Sequence, residues 1–172
     1  MSFEVIDTFH PAYAQRISYR ANSPHQDLFS ILDQVFDPEL PGLTLWDLGV
    51  LQGIEKKDQH IKVVITPTYS GCPAVDAMTQ DTIAALKNAG FDDVTVTLSL
   101  APAWSTDMIS PEGKKQLKAL HIAPPDAEGK VCCPVCDSDN TQVLSEFGST
   151  ACKAMYRCGD CLEVFDYFKK LS

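Results

Sequence analysis

Cys133-Pro134-Val135-Cys136 and Cys158-Gly159-Asp160-Cys161 are two cysteine pairs of the C-x-x-C type, separated by residues 137–157. Two such turns bring four thiolates together as a tetrahedron, which is the geometry that zinc accepts. A segment of about forty residues buries too little apolar surface to fold unaided, so the metal would supply the missing free energy. The pairs therefore predict a mostly β four-cysteine zinc ribbon over residues 132–172, with strands near 141–147, 151–157 and 163–168.

The cysteines of this segment leave alternatives open, because six of the seven in the chain lie within residues 132–161. Cys132 or Cys152 could replace one of the four, and rubredoxin-type iron or an iron–sulfur cluster would use the same kind of ligands. A thioredoxin-like redox pair is disfavoured, because no long amphipathic helix follows Cys136. The spacing favours zinc, with iron as the alternative metal, on the ligands Cys133, Cys136, Cys158 and Cys161.

Upstream of the ribbon, the apolar pattern predicts an α/β unit in which helices pack on a small sheet. Ser23, followed by Pro24 and Gln26, is typical of a capped helix start, and apolar residues at helical spacing continue until Pro38. The predicted unit is completed by a hairpin over 48–55 and 60–66, a helix over 73–88, a strand over 93–100 and a helix that begins at Ser110.

The predicted domain organisation is a tail (1–25), the α/β unit (26–125), a linker (126–131) and the ribbon (132–172). Residues 1–22 show no convincing periodicity, which is typical of a loosely attached arm. Residues 122–130 contain Pro124, Pro125 and Gly129, a composition that indicates a connecting segment.

Cys72 is the one cysteine outside the ribbon, and the pattern places it between a strand end and a helix N-terminus. Backbone amides and the helix dipole favour an anion there, so we expect a lowered pKa for its thiol. A phosphatase-type loop would need an arginine at the position of Met78, and a cysteine hydrolase would need a histidine base in a recognisable context. A reactive thiolate, a soft-metal ligand and a buried packing cysteine are the interpretations that stay open.

Two carboxylates, Asp37 and Glu39, flank Pro38 in a loop that could approach Cys72 at one edge of the sheet. Paired carboxylates can act as acid and base, and the same residues can equally form a solvated turn. Trp104, in a proline-rich loop after a strand, is more typical of a core than of a site.

The net charge of the 172-residue chain is −9, which repels phosphate backbones and anionic membranes and so argues against a nucleic-acid partner. No apolar run approaches the ~18 residues of a membrane helix, and the acidic N-terminus has no apolar signal region. We therefore expect a cytoplasmic protein, in which clustered cysteines are metal ligands or reactive thiols rather than disulfides.

Three stretches of the α/β unit resemble the domain of iron–sulfur assembly proteins that includes bacterial SufT. These stretches are Asp37-Pro38-Glu39-Leu40-Pro41, Asp47-Leu48-Gly49 and Pro67-Thr68-Tyr69-Ser70-Gly71-Cys72-Pro73. The stretch Phe147-Gly148-Ser149-Thr150-Ala151-Cys152-Lys153-Ala154, followed by the second cysteine pair, looks like the PaaD family of the phenylacetic acid degradation pathway. The combination of the two units covers nearly the whole chain beyond residue 25.

The resemblance implies an accessory protein, not an enzyme, that works beside ring 1,2-phenylacetyl-CoA epoxidase. Its implied role is to mature the cluster of the iron–sulfur flavoprotein reductase, and the alternative is an integral non-catalytic subunit of the epoxidase complex. It implies a transient iron or iron–sulfur cluster at Cys72, a homodimer, and an active edge formed by Asp37, Glu39, Thr68 and Cys72. An independent thiol enzyme is the least supported hypothesis, because no set of nucleophile, base and orienting residue can be assembled.

Overall fold

The computed structural model describes residues 11–126 and 128–171. These residues contain two β-sheets, with helices packed mainly on the first. The helices are α1 (Pro11–Asn22), α2 (Gln26–Leu32), α3 (Val75–Asn88) and α4 (Pro111–Ala119), with a 3₁₀ turn at Thr106–Met108. The strands are β1 (Leu51–Lys57), β2 (His60–Ile65), β3 (Val94–Leu98), β4 (Ile122–Ala123), β5 (Thr141–Ser145), β6 (Lys153–Cys158) and β7 (Val164–Phe168).

The first sheet has the strand order β1-β2-β3, with β1 antiparallel and β3 parallel to β2. Ile61, Val63 and Ile65 alternate along β2 and are all fully buried, because one face of the strand points into the core. Helix α3 packs against β3 of this sheet, and its buried Met78 and Leu86 belong to the same core as the β2 residues. The prediction of an α/β unit with a small sheet packed by helices is confirmed.

Helix α2 differs from the prediction at both ends. No side chain caps its first turn, and the Ser23 hydroxyl instead accepts a hydrogen bond from the His25 amide at 3.2 Å. The helix ends at Leu32 because the Val35 carbonyl accepts from the Leu45 amide at 3.0 Å, which draws the chain into an extended conformation before Pro38. The apolar spacing predicted the helix, but the tertiary hydrogen bond shortened it.

The expectation of a loosely attached arm is wrong for residues 11–22, which form helix α1 and pack on the protein through the buried Arg16. Arg16 is 6% exposed and lies on the side of α1 that faces the body of the protein. Its guanidinium donates hydrogen bonds to the carbonyls of Met108, Trp46 and Leu51 at 2.6, 2.7 and 3.1 Å. Residues 1–10 of the predicted tail lie outside the described residues.

The second sheet has the strand order β4-β7-β6-β5, and its three longer strands are antiparallel. Strand β4 pairs in parallel with β7, with Ile122 opposite Asp166. Residues 122–123 therefore belong to the ribbon sheet, and the interpretation of 122–130 as a connecting segment is wrong at its start. The composition of this segment does not predict strand β4, because a strand of two residues has no periodic pattern.

The apolar core of the first unit extends to residues of the second sheet, namely Ile122 and Phe168, while the rest of that sheet has a small core of its own. Trp104 is buried against Phe168 of β7, with ring centroids 5.9 Å apart, so the prediction that it is a core residue is confirmed. The Thr106 amide also donates to the Leu171 carbonyl at 3.0 Å, which fastens the end of the ribbon to the first unit. In the described part of the chain, no helix has both the length and the apolar character needed to cross a bilayer.

Candidate functional site: a four-cysteine cluster and an inter-unit thiol cavity

The four cysteines of the two C-x-x-C pairs converge at one end of the ribbon sheet. Cys133 begins a tight turn before β5, in which its amide donates to the Ser138 carbonyl at 2.9 Å. Cys158 ends β6, and its amide donates to the Glu163 carbonyl at 2.8 Å. These turns hold the two pairs face to face at the end of the strands.

The sulfur atoms of this cluster lie at distances that suit a single metal ion. All four are within 4.8 Å of one another, and the pairs Cys133–Cys161 and Cys136–Cys158 are both 3.6 Å apart. A tetrahedral metal with bonds of about 2.3 Å to sulfur separates its ligands by about 3.8 Å, whereas a disulfide would need about 2.05 Å. The donor set therefore fits a four-thiolate metal and not a pair of disulfides.

The hydrogen bonds around the cluster favour a thiolate at Cys158, whereas the pKa values of the Cys136 and Cys161 thiols are raised. The Cys161 amide donates to Sγ of Cys158 at 3.5 Å, and this bond lowers the pKa of the Cys158 thiol to about 6. Metal ligation requires deprotonated cysteine, so a lowered pKa makes this thiol ready to bind at neutral pH.

A polar clamp that the sequence did not suggest connects the two turns. The Asn140 side chain donates from Nδ2 to Asp160 at 2.8 Å. The Asn140 backbone carbonyl accepts from the Gly159 amide at 2.7 Å. A Cβ atom at position 159 would lie 2.5 Å from the Asn140 side chain, so a larger residue there would displace this side chain from its contact with Asp160. Such outer hydrogen bonds orient the first ligands of a metal site.

The two extra cysteines of the ribbon lie outside this cluster. Cys132 is half-buried beside the groove between α4 and the first turn, and Cys152 is buried at the start of β6. Among the described residues, the four-thiol group is Cys133, Cys136, Cys158 and Cys161.

A small cavity lies between the two units, and it contains all four residues of the predicted active edge. Asp37, Glu39, Thr68 and Cys72 line it from the first unit. The ribbon contributes a further group of polar residues, namely Thr150, Cys152 and Lys153. The remaining wall is apolar and consists of Leu40, Leu48 and Phe168.

The pKa of the Cys72 thiol is raised, not lowered as expected from its position. Partial burial of the Cys72 side chain is the largest cause, and the carboxylates of Glu39 and Asp37 raise the pKa further. The Ala74 amide opposes this by hydrogen bonding, but helix α3 begins only at Val75 and does not outweigh the desolvation. Cys72 is therefore a neutral thiol at pH 7 until a cation or a base compensates it.

Cys152 and Lys153 are the cavity residues that reasoning from the sequence did not assign to this edge. Burial raises the pKa of the Cys152 thiol, while the Thr150 hydroxyl, 3.0 Å from its sulfur, and the Lys153 ammonium oppose the change. The Lys153 side chain is nearly buried, and its Nζ lies 4.0 Å from Asp166. The stretch of residues 147–154 was the sequence signal that could have drawn attention to Cys152. No local rule, however, predicts its contact with the Cys72 loop, which lies eighty residues earlier in the chain.

Known proteins resemble both units. A family model described as "Iron-sulfur cluster assembly protein" matches residues 25–98, and one described as "PaaD zinc beta ribbon domain" matches residues 122–169. The second match begins at β4, in agreement with the pairing of that strand. Both halves of the resemblance drawn from the sequence are thereby confirmed.

Individual relatives span either the whole chain or its first unit. A subunit of the "Putative 1,2-phenylacetyl-CoA epoxidase" of Escherichia coli is 41% identical over 162 residues, which cover 90% of this chain and 98% of that protein. The "Fe-S protein maturation auxiliary factor" of Porphyromonas gingivalis is 31% identical over 97 residues, 55% of this chain and 91% of that protein. A domain of unknown function from Bacillus anthracis has the fold of the first unit, with a TM-score of 0.50 at 22% identity, covering 60% of this chain and 95% of the other.

Proposed function

This chain belongs to the PaaD family, in which an iron–sulfur assembly domain precedes a zinc ribbon, and from that premise we propose that it matures an iron–sulfur protein of phenylacetate degradation. The client is the flavoprotein reductase of ring 1,2-phenylacetyl-CoA epoxidase. The observation that carries the proposal is the cavity at Cys72, where a soft thiol and the carboxylates of Asp37 and Glu39 meet on the side of the assembly-type domain that faces the ribbon.

The cavity supports an accessory role rather than catalysis. Its described lining contains no histidine that could act as a base for Cys72, and the raised pKa of this thiol disfavours a free nucleophile. A neutral thiol that ionises only against a cation is suited to holding iron or a cluster for a short time. Cys72 is therefore the proposed cargo ligand, with Asp37, Glu39 and Thr68 beside it.

The ribbon is proposed to hold a resident zinc ion through Cys133, Cys136, Cys158 and Cys161. Four thiolates with no open position are typical of a structural site, and the metal would stabilise the fold rather than react. Metal analysis of the purified protein tests this: zinc at one ion per chain is expected, and iron at that stoichiometry would overturn the assignment.

The test of the maturation role is coexpression of the reductase with a Cys72→Ser variant of this chain. We expect the iron and sulfide content of the purified reductase to fall, because the cargo ligand is lost. Cys132→Ser is the matched control, since this half-buried cysteine lies in the ribbon outside the cavity. Unchanged cluster content in the Cys72→Ser coexpression would reject a role that depends on Cys72.

A second candidate function is an integral subunit of the epoxidase without chemistry of its own. The name of the Escherichia coli relative, an epoxidase subunit, favours it. Copurification with the active epoxidase at fixed stoichiometry is then expected. Full activity of the other subunits, made in a normal host and purified without this chain, would exclude this candidate.

The partners and assembly extend the same proposal. The epoxidase subunits are the expected partners, a homodimer is the expected state, and the net charge of −9 disfavours nucleic acid. Sedimentation of the purified chain tests the homodimer, and a monomer at micromolar concentration would reject it. The division into units over 26–125 and 132–172 stays a prediction in its exact bounds.

A further inference from the structure

The cavity between the units is lined by a thiol from each of them. Cys72 comes from the loop before α3, and Cys152 precedes β6 of the ribbon. Asp37, with a side chain only 7% exposed, and Glu39 add carboxylate oxygens to the same wall. Sulfur and oxygen donors thus meet at an internal surface that neither unit could form alone.

The size of this cavity limits what it can hold. Its volume is about 10 Å³, close to the volume that one water-sized sphere needs. A single metal ion is compatible with this space, whereas an assembled cluster of several iron and sulfide ions is not. In this conformation, the space thus favours a single ion over an assembled cluster as the cargo of Cys72.

The charges around the cavity favour a cation. The carboxylates of Asp37 and Glu39 both act on Cys72 in the direction that disfavours a further negative charge, as expected in a negative potential. Among the described residues of the wall, Lys153 is the one cation, and it partly compensates Asp37 and Cys152. A mixed set of thiolate and carboxylate ligands suits a divalent first-row transition metal such as iron(II).

The ligands are not gathered in advance, in contrast to the ribbon cluster. Among the described residues, the four ribbon thiols form the group that converges to metal-ligand distances, and the cavity residues form none. Binding here requires side-chain rearrangement against the charge of Lys153, which lowers affinity. A cargo site must release its ion, whereas a closed structural site retains its metal, and the lower affinity is suited to the first of these.

We propose that Cys72 and Cys152, with a carboxylate of Asp37 or Glu39, form a transient site for one iron(II) ion between the two units. The proposal rests on the proposed maturation function and specifies its cargo as a single ion and its second thiol as Cys152. Two neutral thiols become thiolates when the ion binds, so one proton leaves from each thiol for every ion bound.

Anaerobic titration of the full-length protein with cobalt(II), while the ribbon metal stays in place, tests this site. We expect thiolate-to-cobalt absorption and release of two protons per ion near pH 7. Cys152→Ser should lower cobalt affinity by at least about tenfold and leave one proton per ion, because one ligand is lost. Cys132→Ser is the matched control and should behave as the wild type, with the ribbon metal content measured in every variant.

A variant that lacks the charge of Lys153 should change the cobalt affinity in the opposite direction. Lys153→Gln should tighten cobalt binding, because the ammonium that opposes the ion is gone while the thiols remain. X-ray absorption of the cobalt-loaded wild type needs no variant at all, and it should show two sulfur ligands together with oxygen ligands. These two measurements keep the proposal testable if Cys152→Ser or Cys152→Ala folds poorly.

Three results would overturn the site. They are equal affinity and proton release in Cys152→Ser, no cobalt binding by the wild type, or a Cys72–Cys152 disulfide in protein prepared without oxygen. A reductase that loses its cluster with Cys72→Ser but keeps it with Cys152→Ser would also reject this site while leaving the maturation function standing. Full cluster content with both variants would reject the Cys72-dependent maturation role on which this site rests.

Discussion

Asp37 illustrates at the scale of one residue how the cavity is held together. Its carboxylate is almost fully buried, and burial raises its pKa above the ordinary value of 3.8, although the Glu39 amide donates to Oδ1 at 2.8 Å. The hydrogen bond fixes the loop around Pro38, while the negative charge faces the cavity. The two roles can be separated, because asparagine keeps the acceptor oxygen and loses the charge.

We predict that Asp37→Asn changes the pH dependence of stability. A carboxyl with a raised folded pKa stabilises the fold below its unfolded pKa, and this contribution is lost as pH rises through the folded value. The variant lacks this loss, so its stability relative to the wild type should increase between pH 4 and pH 7. Urea unfolding at several pH values, without added metal, measures the difference.

Asp37→Ala is the control that separates the charge from the hydrogen bond. Alanine removes the acceptor for the Glu39 amide as well, which should cost about 1 kcal/mol at all pH values. A difference between Asp37→Asn and wild type that stays constant from pH 4 to pH 7 would contradict the assignment of a raised pKa.

The spacing of the cysteines predicted the positions of the four ribbon residues, but not the inter-unit cavity. Ligands in C-x-x-C turns are arranged by local backbone geometry, so a short pattern is sufficient. Cys152 meets Cys72 only through packing between units, and the pKa of Cys72 depends on desolvation by residues distant in the chain. Neither property has a local signal.

Helix α1 shows at the scale of elements how one side chain can attach a segment to a fold. The Arg16 guanidinium donates to three backbone carbonyls and lies over the Trp46 ring, 4.1 Å from its centroid. Burial lowers the pKa of Arg16 to about 10, so the group is still charged at neutral pH. The loops at Trp46 and Met108 are thereby joined to the helix.

We predict that Arg16→Leu destabilises the protein by about 3 kcal/mol, because three buried carbonyls each lose a charged donor. Arg16→Lys should fall between this variant and the wild type, since an ammonium cannot reproduce the planar fork of donors. Lys115→Ala, at an exposed ion pair with Glu112, is the control and should change stability by less than about 0.5 kcal/mol. Urea midpoints measure the series, and an Arg16→Leu value equal to the control would contradict it.

Elements with local signals were predictable, and elements made by tertiary contacts were not. The α4 start follows the rule, since Ser110 accepts from the Gly113 amide at 2.8 Å as an N-cap residue. Helix α1 carries a buried arginine where an apolar residue would have revealed its face, so its pattern escaped periodicity. Strand β4 depends on β7, which lies more than forty residues later in the chain.

At the scale of the whole molecule, the ribbon supports the first unit as well as itself. Its own core is small and contains Ala123, Cys133, Ala154, Cys158, Phe165 and Tyr167. Phe168 and Cys152 belong instead to the core of the first unit, where Phe168 contacts Trp104. The sequence predicted two units correctly in kind, but the apolar residues alone could not show that Cys152 and Phe168 of the ribbon belong to the core of the first unit.

Removal of the ribbon metal should therefore change the environment of Trp104 in the first unit, so the fluorescence of Trp104 can report the loss. Without the metal, the small ribbon core does not offset the cost of ordering the chain, so Phe168 should leave the Trp104 ring and the indole should meet water. We predict a red shift of tryptophan emission when a chelator removes the metal under reducing conditions, reversed by added zinc. Trp104→Phe, which retains Trp46, should show little of this shift. If metal loss is verified and the wild-type emission does not move, the ribbon and the first unit are energetically independent despite the contact between Phe168 and Trp104.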